Sequence, residues 1–287
     1  MGEQMWAVIV EEDQPLKIGT TEKPVCGDND VLVEVMTAGL NRADLVQRRG
    51  LYPPPPGASH IMGLECAGTI VARGAAVTDW AIGDRVCGLL AGGGYAEFAA
   101  VDQGSLFKIP DAMSFEQAGA LPEVMMTVWA NIFDRCQFKS GETALIHGGT
   151  SGIGTMAIQM LKSAGAASIM ITAGSAEKCA FATELGADHA INYREEDFEQ
   201  IVRDAGGADV ILDMVGGDYV QKNISAAKVG GRIVNIAYMQ GPQVNLNLMP
   251  LMLKRLILTG TTLRARPNPE KERIRDAVLA DFWPDVL

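Results

Sequence analysis

The sequence predicts an α/β protein in which a β-rich first domain precedes a domain built on a doubly wound parallel sheet. Short strand candidates bounded by turn residues dominate the first third of the chain, at 6–10, 31–36, 68–72 and 95–100. From about residue 114, helical patterns alternate with strand candidates that begin near 143, 168, 190, 209 and 232. This alternation is typical of a parallel sheet covered by helices. We place the boundary at 122, which gives domains over 1–122 and 123–262.

Composition agrees with a two-domain enzyme and argues against several other classes. The chain has 287 residues, 48% of them hydrophobic, which is enough for a sizeable core. A net charge of −11 argues against nucleic-acid binding, which needs a basic face. No apolar run reaches membrane-spanning length. The five cysteines are scattered, without a C-x-x-C pair, so we expect no disulfide framework and a reducing, cytoplasmic location.

A glycine-rich turn between a strand and a helix is the strongest single motif in the chain. Residues 143–146 form an apolar strand, and Gly148, Gly149, Gly152 and Gly154 follow it closely. Glycines let the backbone turn sharply and come close to a bound group. The next residues have the apolar pattern of a helix, whose N-terminal amides and dipole favour a phosphate group. The motif predicts a dinucleotide site, although glycines also occur in ordinary loops.

The end of the next strand indicates which dinucleotide is bound. An NAD enzyme usually carries Asp or Glu about twenty residues beyond the glycine turn, where the carboxylate holds a ribose hydroxyl. Here strand 168–172 runs into Gly174 and Ser175, and neither is acidic. Lys178 lies one turn into the next helix, and Tyr193 comes after the following strand. A small residue, a hydroxyl and a cation suit a 2′-phosphate, which predicts NADPH. In the alternative, Lys178 is a solvated helix residue and Tyr193 fills a gap in a loop.

A second group of polar residues lies in the first domain, ahead of four consecutive prolines. Asn41 and Asp44 are three positions apart on a predicted helical turn, and Arg48 follows one turn later. Tyr52 directly precedes the prolines, which stiffen the loop and allow its phenol to be held at low entropic cost. Such a phenol suits a binding or catalytic site. In the alternative, this is a rigid surface segment in which Asn41 caps the helix, Asp44 pairs with Arg48 and Tyr52 covers the core.

Five short motifs occur together and in order in this domain: GLNRAD at 39–44, RGLYP at 49–53, GLECAG at 63–68, GDRV at 83–86 and GYAE at 94–97. With them the chain resembles the quinone oxidoreductases of the medium-chain dehydrogenase/reductase superfamily, in the zeta-crystallin-like branch. The resemblance runs from the first strand nearly to the C-terminus and includes LGAD at 185–188 and INY at 191–193. It implies a GroES-like catalytic domain, a Rossmann cofactor domain, NADPH as cofactor, and a homodimer paired through the edges of the cofactor-domain sheets.

The resemblance also has an implication for the end of the chain. Residues 263–287 are expected to begin a return to the catalytic domain. Members of the family continue for a few dozen residues more, so we expect the C-terminal completion of that domain to be truncated.

Metal binding is a question because the superfamily includes zinc alcohol dehydrogenases. In those enzymes a cysteine occupies the position of Asn41 and a histidine that of Leu64, so both zinc ligands are replaced here. Three histidines occur in the chain without ligand spacing: His60, His147 and His189. We therefore predict no metal, with Glu65 bracing the domain. His147 is either a neighbour of the cofactor or a hydrogen-bonded histidine at the sheet edge.

These features predict hydride transfer from NADPH to a quinone or similar conjugated carbonyl, because an enzyme without zinc needs an acceptor that is already electron-poor. Tyr52 and Asn41 are predicted to donate hydrogen bonds to the acceptor oxygen as negative charge develops on it. By the resemblance, Ser151 contacts the pyrophosphate or the quinone edge, and Thr127 holds the nicotinamide carboxamide. The predicted catalytic residues are Tyr52, Asn41 and Ser151. The predicted cofactor contacts are Asn41, Thr127, Gly149, Thr150, Ser151, Gly152, Ile153, Gly174, Ser175, Lys178, Tyr193, Val215, Leu263 and Arg264.

Three alternatives use parts of the same pattern. An enoyl or enone reductase would need the same hydride and much the same stabilisation of an enolate. A non-catalytic NADPH-binding protein would keep the cofactor domain without turnover. A short-chain dehydrogenase would share the glycine turn but needs Tyr-x-x-x-Lys, and this pair is missing. The positions four after Tyr193, Tyr219 and Tyr238 hold Asp197, Asn223 and Pro242.

Overall fold

Strands occupy the chain in two groups, and most helices lie between the strands of the second group. The computed structural model describes residues 2–10 and 15–286. In these residues the strands are β1 (Gln4–Ile9), β2 (Lys17–Glu22), β3 (Asp30–Ala38), β4 (Glu65–Arg73), β5 (Arg85–Leu89), β6 (Phe98–Asp102), β7 (Leu106–Lys108), β8 (Thr143–His147), β9 (Ser168–Ala173), β10 (His189–Asn192), β11 (Ala208–Asp213), β12 (Ala227–Asn235) and β13 (Ile257–Gly260). The helices are α1 (Arg42–Arg48), α2 (Phe115–Ala118), α3 (Pro122–Val128), α4 (Gly152–Ser163), α5 (Ala176–Leu185), α6 (Phe198–Asp204), α7 (Tyr219–Ala226), α8 (Met249–Leu253) and α9 (Asn268–Asp281). A π-helix over Trp129–Arg135 continues α3, and 3-10 turns cover Gln103–Ser105 and Trp283–Val286.

These elements form two units. One consists of the residues up to Met126 together with those from Leu263 onward, and the other is Thr127–Thr262. The first boundary falls inside α3. The longest helix in the described part of the chain, α9, has 14 residues, and no helix there is both long and apolar enough to cross a membrane.

The first unit is β-rich, as predicted. β6, β3, β4, β5 and β7 lie side by side in that order in one antiparallel sheet, and β1 pairs with β2 in a separate two-stranded sheet. Val33, Ile70 and Val86 from the three central strands are buried in its core. The strand predicted at 95–100 begins only at Phe98. The sequence patterns did not predict β2, β5 or β7, because β2 is mostly polar, β7 has three residues and β5 directly follows the Gly83-Asp84 turn signal.

The segment after Leu263 folds with the first unit. α9 buries Ile274 and Val278, and Arg275 Nη1 donates to the Leu106 carbonyl at 3.0 Å. Apolar contacts and a charged hydrogen bond therefore fix this helix beside β7.

The second unit holds one parallel sheet of six strands in the order β10-β9-β8-β11-β12-β13. This order is that of a doubly wound dinucleotide-binding sheet, with the reversal between β8 and β11. Leu145, Met170, Ile211 and Ile233 come from the four central strands and are buried. The predicted parallel sheet is thus confirmed, with β13 as a further edge strand of only four residues. Ligands bind such sheets at the carboxyl ends of the strands that flank the reversal, so the turns after β8 and β11 are the expected binding positions.

Candidate functional site

The turn between β8 and α4 is held by hydrogen bonds of Ser151 and contains glycines that pack closely against neighbouring residues. Gly148 has a φ of +67°, in the left-handed region that favours glycine. A Cβ on Gly149 would lie 2.5 Å from a side-chain carbon of Ile171, so the turn packs directly against β9. Ser151 Oγ donates to the Gly148 carbonyl at 2.8 Å and accepts from the Gly154 amide at 3.0 Å. The Ser151 hydroxyl therefore caps α4.

The first turn of α4 is suited to a phosphate group. The amides of Gly152 and Ile153 belong to this turn, where N–H groups have no intrahelical acceptor. α4 has 12 residues, and its dipole adds positive potential at the same end. The predicted contacts Gly149, Thr150, Ser151, Gly152 and Ile153 thus lie on one continuous turn beside the reversal of strand order.

The turn after β9 carries the residues predicted to select NADPH. A Cβ on Gly174 would lie 2.7 Å from the Tyr193 hydroxyl oxygen, and the Tyr193 amide donates to the Ala173 carbonyl at 3.1 Å. Ser175 caps α5, because its hydroxyl accepts from the Lys178 amide at 3.3 Å. Tyr193 is 44% exposed, and Lys178 is exposed as well. The structure therefore brings these four predicted residues together at a surface that a ligand can reach.

Val215 lies in the turn after β11, and a buried carboxylate holds this turn. Asp213 Oδ1 accepts from the amides of Val215 at 2.7 Å and Gly216 at 3.1 Å. Its Oδ2 accepts from the side-chain amides of Asn223 and Asn235, both at 3.0 Å. Sequence reasoning assigned no role to Asp213, Asn223 or Asn235. For Asp213 and Asn235, the available signal was a polar residue directly after the apolar run that ends β11 or β12.

His147, at the end of β8, is fully buried and has a hydrogen-bond partner at each ring nitrogen. Nδ1 lies 3.0 Å from Thr172 Oγ1, and Nε2 lies 2.7 Å from Asn223 Oδ1. Burial lowers the pKa of His147. Of the two interpretations of this residue, the structure supports the hydrogen-bonded histidine.

Thr127 is the first residue of the second unit and is almost completely buried. Its carbonyl accepts from Asn131 Nδ2 at 2.8 Å. Asn131 Oδ1 in turn accepts a short hydrogen bond from the Thr261 hydroxyl. These bonds tie the start of the π-helix to the segment after β13. In the described contacts Thr127 belongs to this cluster rather than to the glycine turn.

Asn41 and Asp44 belong to a hydrogen-bonded cluster in the first unit. Asn41 Nδ2 donates to Glu65 Oε1 at 2.8 Å, and the Glu123 amide donates to Glu65 Oε2 at 2.9 Å. Asp44 Oδ2 accepts from the Asn41 backbone N–H at 2.8 Å and from the Tyr95 hydroxyl at 2.7 Å. Burial raises the pKa of Glu65, and the two hydrogen bonds oppose this shift. Glu65 thus joins β4 to the start of α1 and to α3, which is a bracing position.

Tyr52 is held by Arg264, a residue 212 positions later in the chain. Arg264 Nε donates to the Ala91 carbonyl at 2.7 Å, and Nη1 donates to the Tyr52 carbonyl at 3.1 Å. The guanidinium carbon lies 5.2 Å from the centre of the Tyr52 ring, within the range of a cation–π contact. Arg264 is only 5% exposed, and the neighbouring Leu263 is also buried. Burial raises the pKa of the Tyr52 hydroxyl, and the charge of Arg264 opposes this shift.

The positions of the two replaced zinc ligands are occupied by an amide and an apolar side chain. Asn41 is hydrogen-bonded to Glu65, and Leu64 is buried. Over residues 2–10 and 15–286, the structure contains no group of three or more His, Cys, Asp or Glu side chains placed to hold a metal ion.

Two family models match the chain, one for each kind of domain. The model for the alcohol dehydrogenase GroES-like domain matches residues 27–111, and the model for zinc-binding dehydrogenases matches residues 152–279.

Curated relatives match most of this chain. The synaptic vesicle membrane protein VAT-1 homolog of Danio rerio is 35% identical over 215 residues, which covers 74% of this chain and 44% of that protein. Quinone oxidoreductase-like protein 2 of Mus musculus is 30% identical over 257 residues, which covers 88% of this chain and 73% of that protein. The chain spans less than half the length of several relatives, including 10% of a phenolphthiocerol synthesis polyketide synthase of Mycobacterium bovis.

Solved structures match both units. The quinone oxidoreductase of Pseudomonas syringae pv. Tomato DC3000 has a TM-score of 0.83 and 31% identity, covering 100% of this chain and 90% of that one. The CurK enoyl reductase has a TM-score of 0.85 and 27% identity, covering 99% and 90%. The Escherichia coli quinone oxidoreductase, solved in complex with NADPH, has a TM-score of 0.81 and 27% identity, covering 99% and 89%. The chain therefore belongs to the medium-chain dehydrogenase/reductase superfamily and, within it, to the quinone oxidoreductase-like proteins that its sequence motifs resemble.

Proposed function

We propose that this protein is an oxidoreductase that transfers a hydride from NADPH to a quinone or similar conjugated carbonyl, without zinc. The observation that carries the proposal is the turn after β9, where Gly174, Ser175, Lys178 and Tyr193 come together. A cation and two hydroxyls suit a 2′-phosphate, whereas a carboxylate at this position would repel it. The NADPH complex of the Escherichia coli quinone oxidoreductase supports the same choice of cofactor.

When bound, NADPH supplies the hydride, and the residues of this chain bind and orient it. The first-turn amides of α4 are proposed to contact the pyrophosphate, because they form the positive end of a helix beside the strand reversal. Ser175 and Lys178 are proposed to contact the 2′-phosphate. Thr127 is proposed to hold the nicotinamide carboxamide, as the family resemblance implies, and Val215 is proposed as a further cofactor contact.

Tyr52 is proposed to donate a hydrogen bond to the acceptor oxygen as negative charge develops there. Because burial raises its pKa, the hydroxyl stays protonated at neutral pH and can act as a donor. Arg264 preorganises this phenol through the Tyr52 carbonyl and ring. One preorganised donor contributes roughly 3–4 kcal/mol to stabilising such a transition state. Asn41 is proposed as a second donor, because only one N–H of its side-chain amide is bonded to Glu65.

The proposed acceptor is electron-poor because Asn41 and Leu64 replace the side chains that hold zinc in related alcohol dehydrogenases. Conjugation makes a carbonyl easier to reduce where no Lewis acid polarises it, as in a quinone. Enoyl reduction is the second candidate, and similarity to the CurK enoyl reductase favours it. An enolate oxygen could accept the same hydrogen bonds as a reduced quinone.

Turnover assays with NADPH and NADH, each with a simple quinone and an enone, test this proposal. We expect NADPH to be preferred about tenfold or more, and Tyr52→Phe to lower kcat about a hundredfold. Unchanged quinone reduction by both Tyr52→Phe and Asn41→Ala would show that the donors are misassigned. Failure of the wild-type protein to oxidise NADPH with either acceptor would favour a non-catalytic nucleotide-binding protein.

Cofactor selection is tested separately by Lys178→Ala. Loss of one charge-assisted hydrogen bond, worth about 1.5–3 kcal/mol, should weaken NADPH binding by about tenfold or more and leave NADH binding unchanged. Lys139→Ala removes an exposed cation from the same unit and serves as the matched control. Equal NADPH affinity in both variants would rule out the proposed phosphate contact.

We also propose that the protein is a homodimer paired through β13. This strand lies at one edge of the parallel sheet, and Ile257 on it is 56% exposed. Met249, Met252 and Leu253 of the neighbouring α8 are exposed as well, which leaves an apolar surface beside an open strand edge. Ile257→Lys should shift the sedimentation of the protein from dimer to monomer, whereas His189→Lys on the opposite edge strand should not. A monomeric wild-type protein at micromolar concentration would contradict this assembly.

A cytoplasmic location is proposed from the cysteines. All five lie in the described part of the chain, and none of them forms a disulfide. Unpaired thiols are typical of a reducing compartment. Fractionation of the source cells should recover the protein in the cytosol, and recovery from the secreted fraction would contradict this location.

A further inference from the structure

A continuous chain of buried polar side chains crosses the second unit. It joins residues of five elements, in the order Thr172 (β9), His147 (β8), Asn223 (α7), Asp213 (β11) and Asn235 (β12). The four links measure 3.0, 2.7, 3.0 and 3.0 Å, and all five residues are buried. Unsatisfied polar groups are costly at such depth, so each member depends on the next.

The direction of each hydrogen bond follows from the carboxylate. Asp213 can only accept, so Asn223 donates to it through Nδ2 and presents Oδ1 as an acceptor. His147 must therefore carry a hydrogen on Nε2. With a neutral imidazole, Nδ1 has no hydrogen and accepts from the Thr172 hydroxyl. The imidazole is neutral in this arrangement, which agrees with the lowering of its pKa by burial. The rings of Phe198 and Tyr219 pack edge-on against it, each with a centroid distance of 4.8 Å, and restrict its rotation.

Two members of this series of side chains, Thr172 and Asp213, reach the two turns expected to bind the nucleotide. At one end, the Thr172 carbonyl accepts from the Gly149 amide at 3.0 Å, and the Thr172 hydroxyl lies 3.4 Å from the Gly148 amide. Next to the other end, Asp213 Oδ1 accepts from the amides of Val215 and Gly216. The glycine turn after β8 and the turn after β11 are thus connected by buried hydrogen bonds. They also lie on paired strands, and Ser151 Oγ lies 3.7 Å from Met214 Sδ.

We propose that His147 is a positioning residue for NADPH, which holds the glycine turn and the turn after β11 in a fixed relation through Thr172, Asn223 and Asp213. The inference rests on the proposed function, because it requires that both turns bind the nucleotide. His147 itself is buried and does not contact the ligand. Its contribution is to reduce the freedom of the two turns before binding, so that less ordering is needed when NADPH arrives.

Three substitutions test this role by direct NADPH titration. His147→Phe keeps an aromatic ring and removes both hydrogen bonds, and we expect about tenfold weaker NADPH binding. His147→Gln keeps a donor near the position of Nε2 and should bind NADPH within about threefold of the wild-type protein. Thr172→Val removes only the hydroxyl at one end of the chain and should weaken binding by about three- to tenfold. In steady-state assays the loss should appear in the KM for NADPH, with the KM for the acceptor unchanged.

Thr143→Val is the matched control. Thr143 begins β8 at the opposite end of the strand, is buried, and has its hydroxyl bonded to Lys228 Nζ at 3.3 Å. This variant should lose a little stability and retain wild-type NADPH affinity. A melting curve for each variant confirms that binding is measured on folded protein, and Thr172→Val alone carries the test if His147→Phe does not fold.

The outcomes separate this inference from the proposed function. Wild-type NADPH affinity in folded His147→Phe or Thr172→Val, or equal weakening in His147→Gln and His147→Phe, would overturn the positioning role. A wild-type protein that binds no NADPH would contradict the proposed function itself, whatever the variants do.

Discussion

Replacing Arg264 tests how Tyr52 is held. Arg264→Met keeps a long side chain but makes it apolar. The variant loses the hydrogen bonds that Arg264 donates to the carbonyls of Ala91 at 2.7 Å and Tyr52 at 3.1 Å. Hydrogen bonds from a charged donor are worth about 1.5–3 kcal/mol each. Part of that loss is offset because a buried cation no longer has to be desolvated, and Nη2 has no hydrogen-bond partner among the described residues. We expect a net decrease of about 2 kcal/mol in the free energy of unfolding.

The same substitution should change the ionisation of Tyr52. Burial raises the pKa of this hydroxyl, and the Arg264 charge opposes that shift. Without the guanidinium, burial and the negative charge of Glu123 both act to raise the Tyr52 pKa, which should therefore rise further. Arg264→Lys keeps a positive charge but offers a compact ammonium instead of a planar fork. Arg264→Lys should bring the Tyr52 pKa most of the way back to its wild-type value, but should recover only part of the lost unfolding free energy.

Two measurements decide the outcome. Urea unfolding gives the stability, and tyrosinate absorbance against pH, compared with Tyr52→Phe, gives the ionisation of this one phenol. Arg42→Met on α1 is the control, because it removes an exposed arginine from the same unit and should change the unfolding free energy by no more than about 0.5 kcal/mol. The reasoning would be refuted if Arg264→Met were as stable as Arg42→Met and if its Tyr52 pKa equalled that of the wild-type protein.

Two further predictions concern the second unit. Arg232→Met should lower its unfolding free energy by about 3 kcal/mol, because Glu142 would lose two hydrogen bonds from the guanidinium, of 3.0 and 2.6 Å, and its carboxylate would remain largely buried. Urea unfolding measures this loss, and a value below about 1 kcal/mol would contradict the prediction. Stability should also fall in acid through His147. Since burial lowers its pKa below 6.5, the unfolded chain binds the proton first, and the unfolding free energy should drop by up to about 1.4 kcal/mol per pH unit from pH 6.5 down to the folded pKa. His147→Gln should remove this contribution, so an identical pH slope in both proteins would count against it.

Local patterns predicted the second unit better than the first. β8, the glycine turn and α4 are consecutive in the chain, so their apolar period and turn residues are visible without knowledge of the fold. β2 and β13 are different cases. β2 is mostly polar and β13 has four residues, and each forms a strand because a neighbouring strand offers an edge to pair with.

At the candidate site too, the sequence predicted some features and the structure alone revealed others. The motif around Asn41 and Tyr52 marked both residues, but it did not indicate that Asn41 would bond to Glu65 or that Arg264 would hold Tyr52. Asp213 drew no attention as a single acidic residue at a strand end. Its importance became visible only with the four amides that surround it.

The order of the amino acids was therefore sufficient for the parallel sheet, the glycine turn between β8 and α4, and the family, because each depends on residues that are close in sequence. The partners of Tyr52 and His147 lie 212 and 76 positions away. Those pairings required the folded chain, because a hydrogen bond depends on distances of about 3 Å in space, and no local pattern of residue types contains them.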